Sequence, residues 1–193
     1  MILLPDLYKD KKICLIGNGS SLESKNIDFN KYDVTVGINR IYQTNYINSI
    51  NVLYTSLSRV DWHNVYGMVN KLKLTPIFQL LIACPWSKTR TKNIEYIVQQ
   101  QGFCDTKKFI YCRNIVRGVK INKRPLTGVA ALNHIMLSDA ESVDVYGFDF
   151  YTKNYVNNLQ KYNHSALHDI SSNKEFFINL QQKYLDKIIW HKD

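Results

Sequence analysis

Six short apolar runs punctuate the chain: Lys12 to Gly17 (KICLIG), Asp33 to Asn39 (DVTVGIN), Asn51 to Ser56 (NVLYTS), Ile77 to Cys84 (IFQLLIAC), Lys108 to Cys112 (KFIYC) and Ser142 to Phe148 (SVDVYGF). Each has the length of a strand, and several are apolar almost throughout, the pattern of strands buried on both faces of a parallel sheet. Between the last two lies TGVAALNHIMLSDA, where Val129, Leu132 and Met136 repeat at helical spacing and Thr127 is placed to cap the helix. This predicts a strand–helix–strand crossover ending at Phe148. Further on, Phe177, Leu180, Tyr184 and Ile188 recur at three and four, predicting an amphipathic helix from about Ser172 to Trp190. Val60 to Lys73 reads as helical, and no internal repeat or low-complexity tract interrupts the chain. Alternating strands and helices predict an α/β domain: a Rossmann-like, mostly parallel sheet covered by helices on both faces. Ligands in such sheets bind at the carboxyl ends of the strands, where the strand order reverses.

Length and composition narrow this picture only modestly. The 193 residues fit one domain, and 45% apolar with 12% aromatic content supports a buried core. Lys and Arg outnumber Asp and Glu by 25 to 16, giving a net charge of +9. Such a surplus suits a nucleotide, a nucleic acid or an anionic membrane as partner, or reflects a compositional habit rich in Lys and Asn. KDKK and KTRTK are too short to decide between these. Cys14, Cys84, Cys104 and Cys112 form no C-x-x-C pair, so neither a zinc ribbon nor a redox motif is specified. Cys14 and Cys112 lie in strand-like runs as small buried hydrophobes, and a reducing, cytosolic setting is the simplest fit. The opening MILLPDLYKDKK is too short in apolar residues for a signal peptide, and nothing approaches a membrane span. The expectation is a cytoplasmic protein, soluble or peripheral at the inner membrane surface.

Candidate chemistry gathers at the strand ends. After the first strand comes GNGSSL, with Gly17, Asn18, Gly19 and Ser20 in a turn that lets backbone N–H groups and hydroxyls approach a phosphate or sugar. A tight strand–helix connection explains the same residues equally well. The turn is not a dinucleotide fingerprint, because Leu22 stands where the third glycine belongs and the second strand ends in Asn39 rather than an acid. Asn39 can donate and accept at once, and Thr55 ends the third strand. Arg124 precedes Thr127 and Gly128, so a cation, a hydroxyl and helix N–H groups converge as an anion site, with an ordinary surface arginine the equally weighted alternative. YGFDFY closes the last strand with Asp149, Phe150 and Tyr151, and Tyr155 and Tyr162 follow. Tyrosine hydroxyls can bind a leaving phosphate without a metal, although among thirteen tyrosines packing is the commoner fate.

NHSALHD places His164 and His168 four apart with Asp169 behind. Helical spacing would allow zinc, but no H-E-x-x-H and no third local ligand accompany the pair, which disfavours a metal. A lone base matches the surroundings better. Asp169 is placed to cap the following segment or to orient His168, and His164 is a loop or support residue.

Taken in order, GNGSSL, Asn39, Arg124-x-x-Thr127-Gly128, YGFDFY and the HxxxH resemble the bacterial CMP-sialic acid-dependent sialyltransferases of glycosyltransferase family 42, over about Lys12 to Leu180. LTGVAALNHIMLSDAESVDVYGF is similar to the small sialylmotif of animal sialyltransferases, and GNGSSL to the start of their large one. The resemblance implies a single catalytic domain of GT-A-like variant fold over residues 1–193, with a lid segment at about 151–170. It implies inverting transfer of sialic acid from CMP-sialic acid to a glycan hydroxyl, without metal or other cofactor. By match, Asn18, Asn39, Thr127 and Gly128 contact the nucleotide and Arg124 lies beside the donor. Tyr151 is the first of two tyrosines on the departing phosphate, Tyr155 the second at altered spacing, and Tyr162 its reserve. His168 is the general base. Gly17, Gly19, Ser20, Thr55, Asp149 and Phe150 complete the expected substrate-binding set. Ser20 replaces a proline, Leu126 a hydroxyl residue and Thr55 an asparagine of the pattern, and the lid is shorter than the family's. No Asp-x-Asp metal motif occurs; Asp139-Ala-Glu141 comes closest and marks a helix end. A nucleotide-binding module without transfer, a CMP-sugar hydrolase and, from the charge alone, a nucleic-acid binder stand as alternatives. Nucleic acid is set aside for want of a binding motif. A homo-oligomer and peripheral membrane contact stay open.

Overall fold

The apolar runs form strands wherever they can be followed: β1 (Lys12–Ile16), β2 (Val34–Ile38), β3 (Ile50–Thr55), β4 (Phe78–Ala83), β5 (Lys108–Tyr111) and β6 (Ser142–Tyr146). A seventh, β7 (Ile188–Trp190), joins them. The computed structural model describes residues 5–44, 46–47, 49–55, 78–83, 108–111, 121–150, 152 and 168–192. Val60 to Lys73, Cys84, Cys104, Cys112, Tyr151, Tyr155, Tyr162 and His164, and with them most of the expected lid, lie outside the described residues. The helices described are α1 (Pro5–Tyr8), α2 (Thr127–Met136) and α3 (Ile170–Lys183).

The seven strands make one sheet in the order β5-β4-β3-β2-β1-β6-β7. Every neighbouring pair is parallel. The chain therefore steps outward from β1 to β5 and returns to lay β6 on the other side of β1. That reversal opens a crevice at the carboxyl ends of β1 and β6.

Alternation along the strands sends Ile13, Leu15, Val36, Val52, Tyr54, Val143 and Val145 to one face, where they share a core with Val129, Leu132 and Ile135 of α2 and Phe177 and Leu180 of α3. Each such aliphatic side chain contributes about 1.5–3 kcal/mol on burial. On the opposite face Cys14, Ile16 and Leu53 are buried too, so the sheet is covered on both sides. Burial pushes the Cys14 thiol far up, so it serves as a small hydrophobe. All ten residues of α2 are buried, which explains why its apolar face is so broad. Its one buried imidazole is satisfied by a chain of hydroxyls: Tyr8 OH bonds Tyr54 OH at 2.8 Å, and Tyr54 OH bonds His134 Nδ1 at 2.8 Å.

Two sequence expectations are corrected. Thr127 does not cap α2: Leu126 holds that position in extended backbone without a side-chain cap, and Thr127 is the first, buried, helical residue. The Leu126 N–H is taken instead by the Asn173 side chain at 2.7 Å. The C-terminal helix does not reach Trp190 either. It starts at Ile170, behind an Asp169 cap, and ends at Lys183; Tyr184 leaves helical geometry at φ −122°, ψ 49°. Ile188 to Trp190 then pair with β6, the flanking bonds being Val143 N–H to the Lys187 carbonyl (2.7 Å) and His191 N–H to the Val145 carbonyl (3.0 Å). A β-branched and aromatic run gains more by closing the open edge of β6 than by extending a helix. Ile188 falls four residues after Tyr184, so its burial in the strand mimics helical phase. At this edge the His191 imidazole bonds the Asp144 carboxylate and stacks on Tyr146, centroids 4.1 Å apart.

Candidate active site

Pairing carries the segments at the ends of β1, β2, β3 and β6 to the carboxyl edge of the sheet. Ile16 is aligned with Gly37 of β2 and Tyr146 of β6, and Ile38 with Tyr54 of β3. Gly17–Ser20 and Gly147–Phe150 therefore emerge side by side at the strand-order reversal, while Asn39 and Thr55 stand at the same edge one and two strands away, on β2 and β3.

The turn after β1 is locked to the turn after β6. Gly17 N–H donates to the Tyr146 carbonyl (2.8 Å) and Gly19 N–H to the Gly147 carbonyl (2.9 Å). The Asp149 carboxylate accepts the Ser21 N–H (3.0 Å) and the Ser21 hydroxyl. A β-carbon on Gly19 would lie 2.4 Å from that carboxylate, and one on Gly128 would lie 2.6 Å from the Phe148 ring. Three glycines thus surrender their side-chain space to the Gly147–Asp149 segment: Gly17 first to the Gly147 carbonyl and then to Phe148, Gly128 to Phe148, and Gly19 to Asp149. The structure gives Asp149 the work of holding the turn. Phe150, at φ 47°, turns its ring into an aromatic cluster with Phe148, Phe177 and Trp190, where it is 7% exposed. Phe150 thus packs within this aromatic cluster.

Asn18 sits within this locked turn, half-buried, and its Oδ1 is buried with no hydrogen-bond partner among the described residues. Asn39 adopts the left-handed region at φ 52° while its N–H donates to the Tyr54 carbonyl at 2.7 Å. Asparagine tolerates that conformation better than most residues, and its occurrence at a strand end marks a constrained position. Thr55, buried, follows directly on the next strand.

His168 and Arg124 come together although 44 residues apart: His168 Nδ1 donates to the Arg124 carbonyl at 2.8 Å. A carbonyl can only accept, so the neutral ring carries its proton on Nδ1 and its lone pair on Nε2. Burial lowers the His168 pKa from its ordinary value, and the Arg124 cation adds to this; the Arg124 carbonyl opposes it by raising the pKa. The ring is thereby kept as a neutral base at neutral pH. Of the two roles expected for Asp169, the structure shows the cap. Its carboxylate caps α3, accepting from Ser172 N–H (3.0 Å) and Asn122 Nδ2 (3.3 Å), and the Ser172 bond first of all holds its pKa down.

Thr127 and Gly128 open α2 two and three residues beyond buried Pro125, and Gly128 touches Phe148. Through Gly128 against Phe148 the start of α2 meets the turn of β6, and His168 meets the carbonyl of the exposed Arg124 just ahead of that helix. Among the described residues no group of three or more His, Cys, Asp or Glu side chains is arranged to hold a metal ion, and no helix is long and apolar enough to cross a membrane. Sequence reasoning missed Ser21 and Asn173. The second serine of GNGSS gives no signal of its own, whereas an asparagine inside an amphipathic helix, where its propensity is poor, is a visible one.

No protein-family model and no curated protein matches the chain. Solved structures do. The sialyltransferase CstII from Campylobacter jejuni, in complex with the substrate analogue cytidine-5'-monophosphate, superposes with a TM-score of 0.62 at 16% identity, covering 94% of this chain and 80% of its own. The monofunctional alpha-2,3-sialyltransferase Cst-I of the same organism gives 0.63 at 16% identity, covering 95% and 76%. CST-II with a trisaccharide acceptor and CMP gives 0.57 at 14% identity, covering 93% and 80%. The fold is that of these enzymes.

Proposed function

We propose that this chain is a glycosyltransferase that moves sialic acid, or a related acid sugar, from a CMP-linked donor to a glycan hydroxyl. The observation that carries the reading is the His168 imidazole fixed by the Arg124 carbonyl, its lone pair on Nε2, next to the segment that opens α2. The structural neighbours, described with CMP and with a trisaccharide acceptor, support the donor and acceptor classes.

In this reading CMP lies over the β1 turn, with Asn18 and Asn39 on the nucleoside and the start of α2 at the phosphate, where helix N–H groups favour an anion. The acceptor hydroxyl approaches the anomeric carbon from the face opposite the phosphate. As its oxygen forms the new bond, His168 Nε2 takes its proton and the bond between the sugar and the phosphate oxygen breaks, releasing CMP. A single in-line displacement inverts the anomeric centre. Arg124, with hydroxyls of Tyr151 and Tyr155 or Tyr162, supplies the positive and hydrogen-bonding partners for the departing phosphate, and the reaction needs no metal.

The test is CMP release from CMP-sialic acid, with and without a trisaccharide acceptor, by the wild-type protein and by His168→Ala. Release that rises with acceptor and falls about 10²–10⁴-fold in the variant is expected. Equal release by both proteins removes His168 from the mechanism, and absence of CMP binding by calorimetry sinks the reading.

A further inference from the structure

Asn173 lies on α3 and is fully buried, 0% exposed. Its amide is used at both ends: Oδ1 accepts the Leu126 N–H at 2.7 Å, and Nδ2 donates to the Asp169 carbonyl at 2.7 Å. Leu126 is the cap of α2 and Asp169 the cap of α3. One side chain therefore bridges two helix starts.

On the same two segments, His168 reaches the Arg124 carbonyl. The bonds close a small ring: Arg124 carbonyl, His168, Asp169 carbonyl, Asn173 amide, Leu126 N–H, and back through Pro125. Proline fixes its own φ and restricts Arg124 to extended backbone, so the ring has little freedom to distort. Only an amide of this length serves here. Aspartate could accept from Leu126 but would face the Asp169 carbonyl with an anion, and leucine would fill the space with no bond to either.

We propose that Asn173 is a positioning residue that fixes the His168 imidazole to the amino end of α2, holding the base in register with the phosphate-binding segment. This rests on the proposed function for its kinetic consequence but not for its structural one. Substitution frees the His168–Asp169 segment from α2, loosens the Nδ1 bond to Arg124, and lets the ring rotate. A base misplaced by about 1 Å costs on the order of a hundredfold in turnover, while the donor keeps its own contacts.

The experiment compares wild type, Asn173→Asp and Asn173→Leu, with Ser138→Ala as a control. Ser138 Oγ bonds the His134 carbonyl beyond the far end of α2, so its loss disturbs that helix without touching the ring. Nitrogen-15 spectra of the histidines report which ring nitrogen carries the proton, in the absence of any substrate. Wild type and Ser138→Ala should show His168 protonated on Nδ1 when neutral, and both Asn173 variants should lose that pattern. In steady state kcat should fall about 10–100-fold in Asn173→Asp, with the donor KM changed by less than about threefold. Should Asn173→Leu fail to fold, Asn173→Asp keeps the shape and one bond and still decides. Variants that melt earlier yet keep the wild-type His168 spectrum and kcat overturn the proposal. If the wild type turns over no CMP-sugar, the proposed function fails by itself, and the spectra still support or overturn the coupling.

Discussion

Gly17 and Gly147 pass each other at the limit of backbone contact: a β-carbon on Gly17 would lie 2.3 Å from the Gly147 carbonyl oxygen and 2.9 Å from the Phe148 ring. Gly147 itself takes φ +66°, a conformation open to glycine and costly for other residues. This crossing joins the turn that carries Asn18 to the turn that carries Asp149, so the geometry of the proposed donor site depends on two absent side chains.

Gly17→Ala and Gly147→Ala should therefore differ in severity. At Gly147 alanine meets a left-handed backbone, costing about 1–2 kcal/mol, and its β-carbon would stand a tight but tolerable 3.2 Å from the Gly17 oxygen. At Gly17 the obstacle is backbone that cannot swing aside, and a cost of about 3 kcal/mol or more is expected. Urea unfolding of the two variants checks the order; a milder effect at Gly17 contradicts the geometry.

Asn18→Ala should separate folding from binding. A buried acceptor without a donor costs about 1–3 kcal/mol, so removing Oδ1 should leave the melting temperature unchanged or raised. If CMP supplies the missing donor, its affinity should fall at least about tenfold in the same variant. Melting curves with and without CMP, together with calorimetry, measure both; a destabilised variant with wild-type CMP affinity contradicts the assignment.

What could be read from the sequence follows from the range of the forces involved. The six apolar runs name their strands because burial on both faces leaves a local signature, and α2 shows through Val129, Leu132 and Met136. β7 does not show, because Ile188 satisfies helical and strand patterns alike and only the open edge of β6 decides between them. At the site, the glycines and His168 stand out by residue type. Their partners do not: the Ser21–Asp149 clamp spans 128 residues, and the Arg124 group that orients His168 is a backbone carbonyl, which no residue identity announces.

His134 should make stability fall on the acid side. Burial lowers its pKa to about 4, against an unfolded value of about 6.5. Between those values the unfolded chain binds a proton that the folded protein refuses, so stability is full above about pH 6.5 and declines until about pH 4. The loss attributable to this residue is on the order of 3 kcal/mol. Urea midpoints across that range, with the His134 titration followed by NMR, check the sign; a His134 that titrates at its ordinary value contradicts it.

His168 should set the acid limb of activity, and Arg124 should move that limb. Protonating Nε2 would remove the proposed base, so the rate should fall as pH drops through the His168 pKa, which burial and the Arg124 cation place below the ordinary value. The limb in kcat/KM for the free enzyme should therefore have its midpoint below about pH 6.5. Arg124→Gln removes the cation but keeps the backbone carbonyl that holds Nδ1, so the base keeps its tautomer while its pKa rises. The limb should move to higher pH, and, if Arg124 holds the departing phosphate as proposed, the plateau should fall as well. Arg124→Lys keeps a charge and should leave the limb nearer its original place. Initial rates of CMP release between about pH 5 and 8 separate the three proteins. A limb that stays fixed in Arg124→Gln, or that persists in His168→Ala, assigns the titration to another group.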